Sequence, residues 1–423
     1  MRAVITRLAL VLVTLGLAVV PVAACGGAST AGTSVTVLIP WEQQTDSSEY
    51  NAFVAVIGQF ERESHINVKL QDSRSESQQL DADLAADDPP DVVDFPHPGD
   101  LYPYLEQRRL QPLQVSLQHY ADPWRSLAML GTGMVYAVPV KVDVQSLIWY
   151  STAVKQPPAT WEALAADSRL PGTPWCLGLQ NGAVSGWPGT YWIANLLLSM
   201  YGVGAYQDWI RGTLPWDSAQ VSHVWQEWGT LLRNGDAILN GRLGALTTPF
   251  NKALATGHCE FEVGALAASG LPSTTGYRYA RFPAISGGPS PTIVSGDFMA
   301  QFTSNPNAAK LLAYLASDEA QAVWVHQPLA HAFSADEHVP LASYPGGAEQ
   351  GVVGMLRDQS TLCFSPGALM ATDVNAAFNQ AVLEYINAPG SLSGLLNGLE
   401  QTQEGVVASP LKDLACSRTD ASS

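Results

Sequence analysis

The chain predicts an α/β fold in two lobes, and three observations lead there. Its 423 residues exceed what one hydrophobic core usually serves, because single cores stop growing near about 250–300 residues and longer chains divide. Strand-like and helix-like apolar periods alternate through the first part of the chain as β-α-β-α-β, the succession of a parallel sheet with helices on its faces. Hydrophobic residues make up 47% of the chain, an ordinary share for a folded globular protein.

The N-terminus carries an export signal. Arg2 and Arg7 precede an apolar run from Leu8 to Val20, and Val22-Ala23-Ala24-Cys25-Gly26-Gly27 follows. A basic start, a short apolar core and small residues before a cleavage point describe a secretory signal peptide over residues 1–24. The run is shorter than the ~20 residues that a membrane-spanning helix needs. Cys25, directly after the cleavage point, resembles the cysteine of a bacterial lipobox. That resemblance implies a lipidated thiol and a mature chain held at the outer face of the cytoplasmic membrane. Residues 25–34, rich in Gly, Ala, Ser and Thr, then read as a flexible tether.

The folded part begins with Ser34 to Pro40, a first strand that ends at Trp41-Glu42. Phe53, Val56, Ile57 and Phe60 give the stretch from Glu49 to Arg62 one apolar helical face. Ile66 to Leu70 alternates as a strand, Glu76 to Ala86 reads as a helix, and Pro89-Pro90 halts it before the short buried strand Asp91 to Phe95. In such sheets ligands sit beyond the carboxyl ends of the strands, which points to Trp41-Glu42 and Phe95-Pro96-His97. Val135 to Val140 enters a segment, Lys141-Val142-Asp143, ahead of a strand from Ser146 to Tyr150. Thr160-Trp161-Glu162 starts an N-capped helix, Cys176 to Gln180 resembles a strand, and Trp187 to Tyr201 reads as a helix with Pro188 in its first turn. Helical periods recur over 218–233, 305–316, 318–326, 372–387 and 391–404.

Charge and cysteine content narrow the class. The formal charge is −17, and residues 1–24 hold two Arg and no acid, so the mature chain carries about −19. Nucleic acid requires a basic footprint that this surface lacks. Anionic lipid offers it no attraction either, so a membrane link has to be covalent. Twelve Trp and 14 Tyr beside 21 Lys and Arg suit uncharged, stackable partners. With Cys25 assigned to lipid, Cys176, Cys259, Cys363 and Cys416 remain, an even set that in an exported chain suggests two disulfides with three possible pairings. The favoured pairing is Cys176–Cys259 with Cys363–Cys416, each closing a loop long enough to contribute about 4 kcal/mol by chain entropy. Zinc is the competing use, but no CxxC or His-x3–5-His spacing accompanies these cysteines.

Four segments carry a family resemblance. They are Pro90-Asp91-Val92-Val93-Asp94-Phe95-Pro96; Val138 to Tyr150 followed by Thr160 to Leu164; Pro174 to Leu179 with Ser185 to Trp192; and Gly296-Asp297-Phe298 through to Ser317-Asp318-Glu319. In this order, over roughly residues 35–405, they resemble an extracellular solute-binding protein of a carbohydrate ABC importer in the maltose-binding-protein superfamily, closest in look to its α-glucoside-binding branch. The resemblance implies a periplasmic-binding-protein-like fold of two α/β lobes, a hinge, and a ligand cleft between the lobes. It places lobe one at 35–140 plus 296–346 and lobe two at 141–295 plus 347–423. It also implies a monomeric receptor without catalysis or cofactor, whose partners are a sugar and the permease subunits of a transporter with a cytoplasmic ATPase.

A sugar presents hydroxyls at its rim and C–H patches on its faces, so its site needs aromatic plates and short acceptors. Asp143 aligns with a ligand-binding carboxylate of the maltose-type proteins, with Lys141 beside it at the hinge. Trp41 and Glu42 at the end of the first strand, His97 in the turn after the third, and Asp297 at the return crossing are further candidates. Ser185 and Gly186 offer hydroxyl and backbone donors at a helix start, and Trp187 a stacking plate. Trp149, Trp161 and Trp192 read as core. The sequence departs from the family at Gly264-Ala265-Leu266-Ala267-Ala268, where relatives often place polar or aromatic contacts. It departs again at Phe364 to Met370, which lacks the acids of the α-glucoside branch.

Rival functions are weaker. Asp143 and Asp297 could be cast as the carboxylate pair of a glycoside hydrolase, but nothing in the sequence demands it. Gly182-Ala183-Val184-Ser185-Gly186 has one residue too many before the serine for a G-x-S-x-G elbow. Gly131-Thr132-Gly133 lacks the third glycine of a dinucleotide loop, and no HExxH or Walker A sequence occurs. A sensor lipoprotein, or an importer receptor for a polyol, glycerol phosphodiester or peptide, are the remaining alternatives.

Overall fold

The computed structural model describes residues 34–417 apart from 45–46, 168–174, 234–240, 251, 267–270, 272, 286–291, 329, 359–360 and 407–408. The signal peptide, Cys25 and the tether up to residue 33 lie outside the described residues. Among the described residues no helix is long and apolar enough to cross a membrane.

The chain begins with β1 (Ser34–Ile39), α1 (Ser47–Ser64), β2 (Asn67–Asp72), α2 (Glu76–Ala85) and β3 (Val92–Phe95), the succession expected from the sequence. β1 lies between β2 and β3 and runs parallel to both, with Val37 opposite Leu70 on one side and Val92 on the other. α1 buries Ala52, Phe53, Val56, Ile57 and Phe60, one helical stripe turned inward. Two short helices, α3 (Leu101–Glu106) and α4 (Trp124–Ala128), lead to β4 (Ala137–Val144) and β5 (Leu147–Ser151). The middle of the chain supplies α5 (Trp161–Asp167), β6 (Trp175–Cys176), α6 (Trp187–Arg211), α7 (Ala219–Arg233), α8 (Gly241–Thr247), β7 (Phe261–Val263) and β8 (Tyr277–Arg281). It continues with β9 (Thr292–Gln301), α9 (Pro306–Leu315), α10 (Asp318–His326), α11 (Gly347–Arg357), β10 (Leu362–Phe364), α12 (Thr372–Asn387) and α13 (Leu392–Glu404).

Two sheets result. One runs β10-β9-β3-β1-β2, with β4 also paired to β9; the other runs β6-β7-β5-β8. β4 and β9 are antiparallel from Ala137 opposite Ala300 to Val144 opposite Val294, with a register shift between Pro139 and Lys141. The linking segment expected at 141–143 is therefore continuous strand, because β9 supplies a partner along its length. All eight residues of β4 are buried. β4 passes into β5 through the two-residue link Gln145-Ser146, which joins the two sheets. Ser146 ties this corner: its Oγ donates to Asn195 Oδ1 at 2.5 Å and accepts from the Ile293 N–H at 2.7 Å.

Local chemistry explains the helix starts. Asn305 accepts from the Asn307 N–H ahead of α9, and Ser317 from the Ala320 N–H ahead of α10, as N-caps do. Gly186 precedes α6 with φ of +102°, and a Cβ there would collide with the Asn379 carbonyl, so the position requires glycine. α6 extends beyond the expected end at Tyr201 to Arg211, across a non-helical Gly202. The strand expected over 176–180 forms only at Trp175–Cys176. Cys176 is bonded to Cys259 and Cys363 to Cys416, the favoured pairing. Trp149, Trp161 and Trp192 are core residues, with 0%, 3% and 2% exposure.

Candidate ligand-binding site

Three neighbouring strands form the floor of the site. Asp94 on β3, Asp297 on β9 and Lys141 on β4 stand in a row, since β9 pairs with both flanking strands and sets Asp297 opposite Lys141. The Lys141 ammonium contacts the Glu49 carboxylate from the start of α1 and lies 3.4 Å from Asp297 Oδ2. It also lies over the Trp41 ring, 5.3 Å from its centroid, a cation–π arrangement. Burial works against the lysine's charge, but Glu49 and Asp297 outweigh it and hold its pKa above the ordinary value. Asp297 is pushed up by burial, an effect that Lys141 offsets only in part.

Trp41 is buried and packs edge-on against Phe53 and Trp324, with centroids 5.5 Å away in each case. Its role here is to cover Lys141 and close the core beneath. Glu42 stands at the rim, 4.0 Å from Arg74 Nε. His97 Nδ1 lies 3.7 Å from Asp100 Oδ2. Burial lowers the pKa of that imidazole, but Asp100, then Glu76 and Asp297, raise it further, and the net shift is upward. Asp143 is buried and its Oδ1 accepts from the Val144 N–H at 2.8 Å.

An aromatic group stands at the start of α6. The Tyr191 hydroxyl is held strongly in its neutral form by burial, reinforced by the charges of Asp143 and Asp297. Its ring meets Trp187 edge-on at 5.1 Å, and Trp187 meets Phe250 at 5.1 Å. Trp187 is half-buried. Ser185 and Gly186 serve the loop itself: Ser185 Oγ donates to the Gly182 carbonyl and accepts from the Asn181 N–H, both at 2.8 Å, and the Gly186 N–H donates to Leu179 O. The two departures from the family pattern have physical reasons. A Cβ at Gly264 would press on the Tyr191 ring at 3.1 Å, so the small residue makes room for that ring. Ala368 O accepts the Gly99 N–H at 3.0 Å, so the apolar segment from Phe364 to Met370 backs the turn that carries His97.

The structure thus brings Trp41, His97, Lys141, Asp143, Asp297 and Trp187 to one region. It adds Glu49, Glu76, Asp94, Tyr191 and Phe250, which sequence reasoning missed. Asp94 is the most unusual of them. It is 0% exposed, neither carboxyl oxygen has a hydrogen-bond donor among the described residues, and burial followed by Asp297 pushes its pKa well up. Its signal lay in plain view, an acid inside the apolar run Val92-Val93-Asp94-Phe95. Although carboxylates converge here, no group of three or more His, Cys, Asp or Glu among the described residues is placed to hold a metal ion. A few buried polar groups beside aromatic side chains are the make-up of a small-molecule site.

Comparison with known proteins agrees with this architecture. Residues 44–322 match the family described as bacterial extracellular solute-binding protein. The osmoprotective compounds-binding protein GgtB of Synechocystis is 27% identical over 74% of this chain and 80% of its own length. The alpha-glucosides-binding periplasmic protein AglE of Rhizobium meliloti is 31% identical over 51% of each chain. Among solved structures, the bacterial solute receptor AcbH superposes with a TM-score of 0.75 at 17% identity, covering 88% of this chain and 98% of its own. The chain therefore belongs to the bacterial extracellular solute-binding proteins, two-lobe α/β receptors rather than enzymes.

Proposed function

We propose that this protein is the receptor of an ABC importer, holding a neutral carbohydrate, an oligosaccharide, between its lobes and passing it to membrane permease subunits. One observation carries the reading: the charges of Asp143 and Asp297 at the crossing strands act on the buried Tyr191 hydroxyl, whose ring meets Trp187 edge-on. Sugar hydroxyls donate to the carboxylates while ring C–H faces rest on the aromatics. Lobe one comprises 35–140 plus 296–346 and lobe two 141–295 plus 347–423, with β4 and β9 as hinge strands. Closure around a ligand converts its binding free energy into a shift of an open–closed equilibrium, which a permease can sense. The names of the relatives support a sugar: AglE is an alpha-glucoside binder, and AcbH is reported to prefer β-D-galactopyranose exclusively. GgtB, named for osmoprotective compounds, favours a second reading in which the cargo is a small polyol.

Calorimetry on the chain lacking residues 1–25 tests this with maltose, trehalose, raffinose, galactose and sorbitol. Saturable heat with one or more oligosaccharides is expected. Silence across the sugars removes the carbohydrate reading, and heat with sorbitol alone favours the polyol. Anchoring at Cys25 completes the proposal: Cys25→Ser should move the protein from the membrane fraction to the medium, and continued retention would count against the anchor.

A further inference from the structure

The row across β3, β9 and β4 holds more acid than its one lysine can neutralise. Asp94 stands opposite Met299 in the antiparallel β3–β9 pair, so Asp297, two residues along, projects from the same face of the adjacent strand. Lys141 lies on the far side of Asp297, but its ammonium is committed to Glu49 and Asp297. Neither Asp94 oxygen receives a hydrogen bond among the described residues, and its exposure is 0%. The charged groups that act on Asp94 are Asp297 from β9, Lys141 from β4, Glu76 from α2 and Glu49 from α1, three acids against one base. His97 acts on Asp297 and Asp143 acts on Lys141 at the other end of the row. Two carboxyls sharing one face and one committed cation do not both ionise readily; a proton on one of them relieves both.

We propose that Asp94 sets the charge of the binding site: Asp94 and Asp297 hold one proton between them in the free protein, and cargo capture retains it. The inference rests on the sugar-site reading above. Closing the lobes excludes further water, which favours the neutral acid, so the complex holds the proton more tightly than the free protein. By linkage, affinity is then constant at the acid end and falls as pH rises through the free-state value. Asp94 acts here as a positioning residue, neutral and buried behind the groups that meet the sugar.

Infrared spectroscopy of the ligand-free protein tests the proton directly. At neutral pH a protonated-carboxyl band is expected in the wild type, shifted by isotope-labelled aspartate and absent from Asp94→Asn. A wild-type spectrum without that band overturns the proposal, and because labelling needs no substitution this arm survives a misfolded variant. Calorimetry with raffinose and maltotetraose, repeated over a range of pH in buffers of different ionisation heat, tests the coupling. Below the free-state value no net proton exchange is expected; above it proton uptake on binding is expected, with affinity falling up to about tenfold per pH unit until the value of the complex is reached. The same pH slope in Asp94→Asn would overturn the assignment. If these two and every sugar of the panel above fail to bind, the sugar reading fails while the infrared band still decides whether the proton is there.

Discussion

Each sheet is fastened at an edge strand by a disulfide, Cys363–Cys416 on β10 and Cys176–Cys259 on β6, yet the two sides contribute different chemistry to the site. The six-stranded sheet contributes Asp94, Asp297 and Lys141, with Glu49 reaching in from α1. The side built over the four-stranded sheet contributes Tyr191, Trp187 and Phe250, held by edge-on ring contacts. Charges locked into pairs resist rearrangement, because separating them leaves a desolvated ion behind. Rings in edge contact re-pack at small cost and accept apolar faces of many shapes. On the sugar-site reading proposed above, the difference is a division of labour: one wall would fix the orientation of hydroxyls, and the other would supply area with little discrimination.

Breaking the ionic wall should have the largest effect. Lys141→Met leaves Glu49 and Asp297 without their cation and should cost about 3–5 kcal/mol in denaturant unfolding, the range for orphaning a buried charge; a loss below about 1 kcal/mol would show that the row is solvated and the contrast empty. Asp143→Ala should come next. Removing a charged acceptor costs roughly 1.5–3 kcal/mol, so sugar affinity should fall more than tenfold, and unchanged affinity would retire that residue as a contact. Trp187→Ala probes the aromatic wall and should weaken binding by about 1 kcal/mol, spread evenly over different sugars. A strong preference appearing or vanishing in that variant would mean that the rings discriminate after all.

The smallest expected effect concerns Glu262, a buried acid in β7 of the four-stranded sheet. Burial raises its pKa well above the ordinary carboxyl value, and Oε2 has no hydrogen-bond partner among the described residues. The folded state therefore binds the proton more tightly than the unfolded chain, so this residue lowers stability as pH rises from the unfolded value through the folded one. Glu262→Gln should remove that slope and stabilise the neutral-pH protein by on the order of 1 kcal/mol, with sugar affinity unchanged. Melting curves at several pH values, run beside calorimetry, check both halves. A fall in affinity would place the second sheet's acid in the site and erase the contrast.

Much of lobe architecture was legible because it is local. The stripe Phe53, Val56, Ile57 and Phe60 and the alternation at Ile66 to Leu70 each specify an element within a dozen residues. Lys141, Asp143 and Asp297 were readable from the motifs around them. Glu49 was not, since an acid in a first helical turn is ordinary for helix-dipole reasons alone. Tyr191 and Phe250 were hidden among apolar neighbours, where an aromatic reads as core. Short strands such as Leu362–Phe364 carry too few residues for a period, and they exist because β9 offers an edge.

What the sequence determined by itself was the family, the order of the elements and a cysteine set whose favoured pairing the fold adopts. These follow from near neighbours along the chain, where hydrophobic period and turn chemistry act. Tertiary structure decided the site. Antiparallel register between β3, β9 and β4 sets acids and a lysine from three distant segments side by side, and burial then changes what those groups do, because a carboxyl's charge depends on the solvent and neighbours around it.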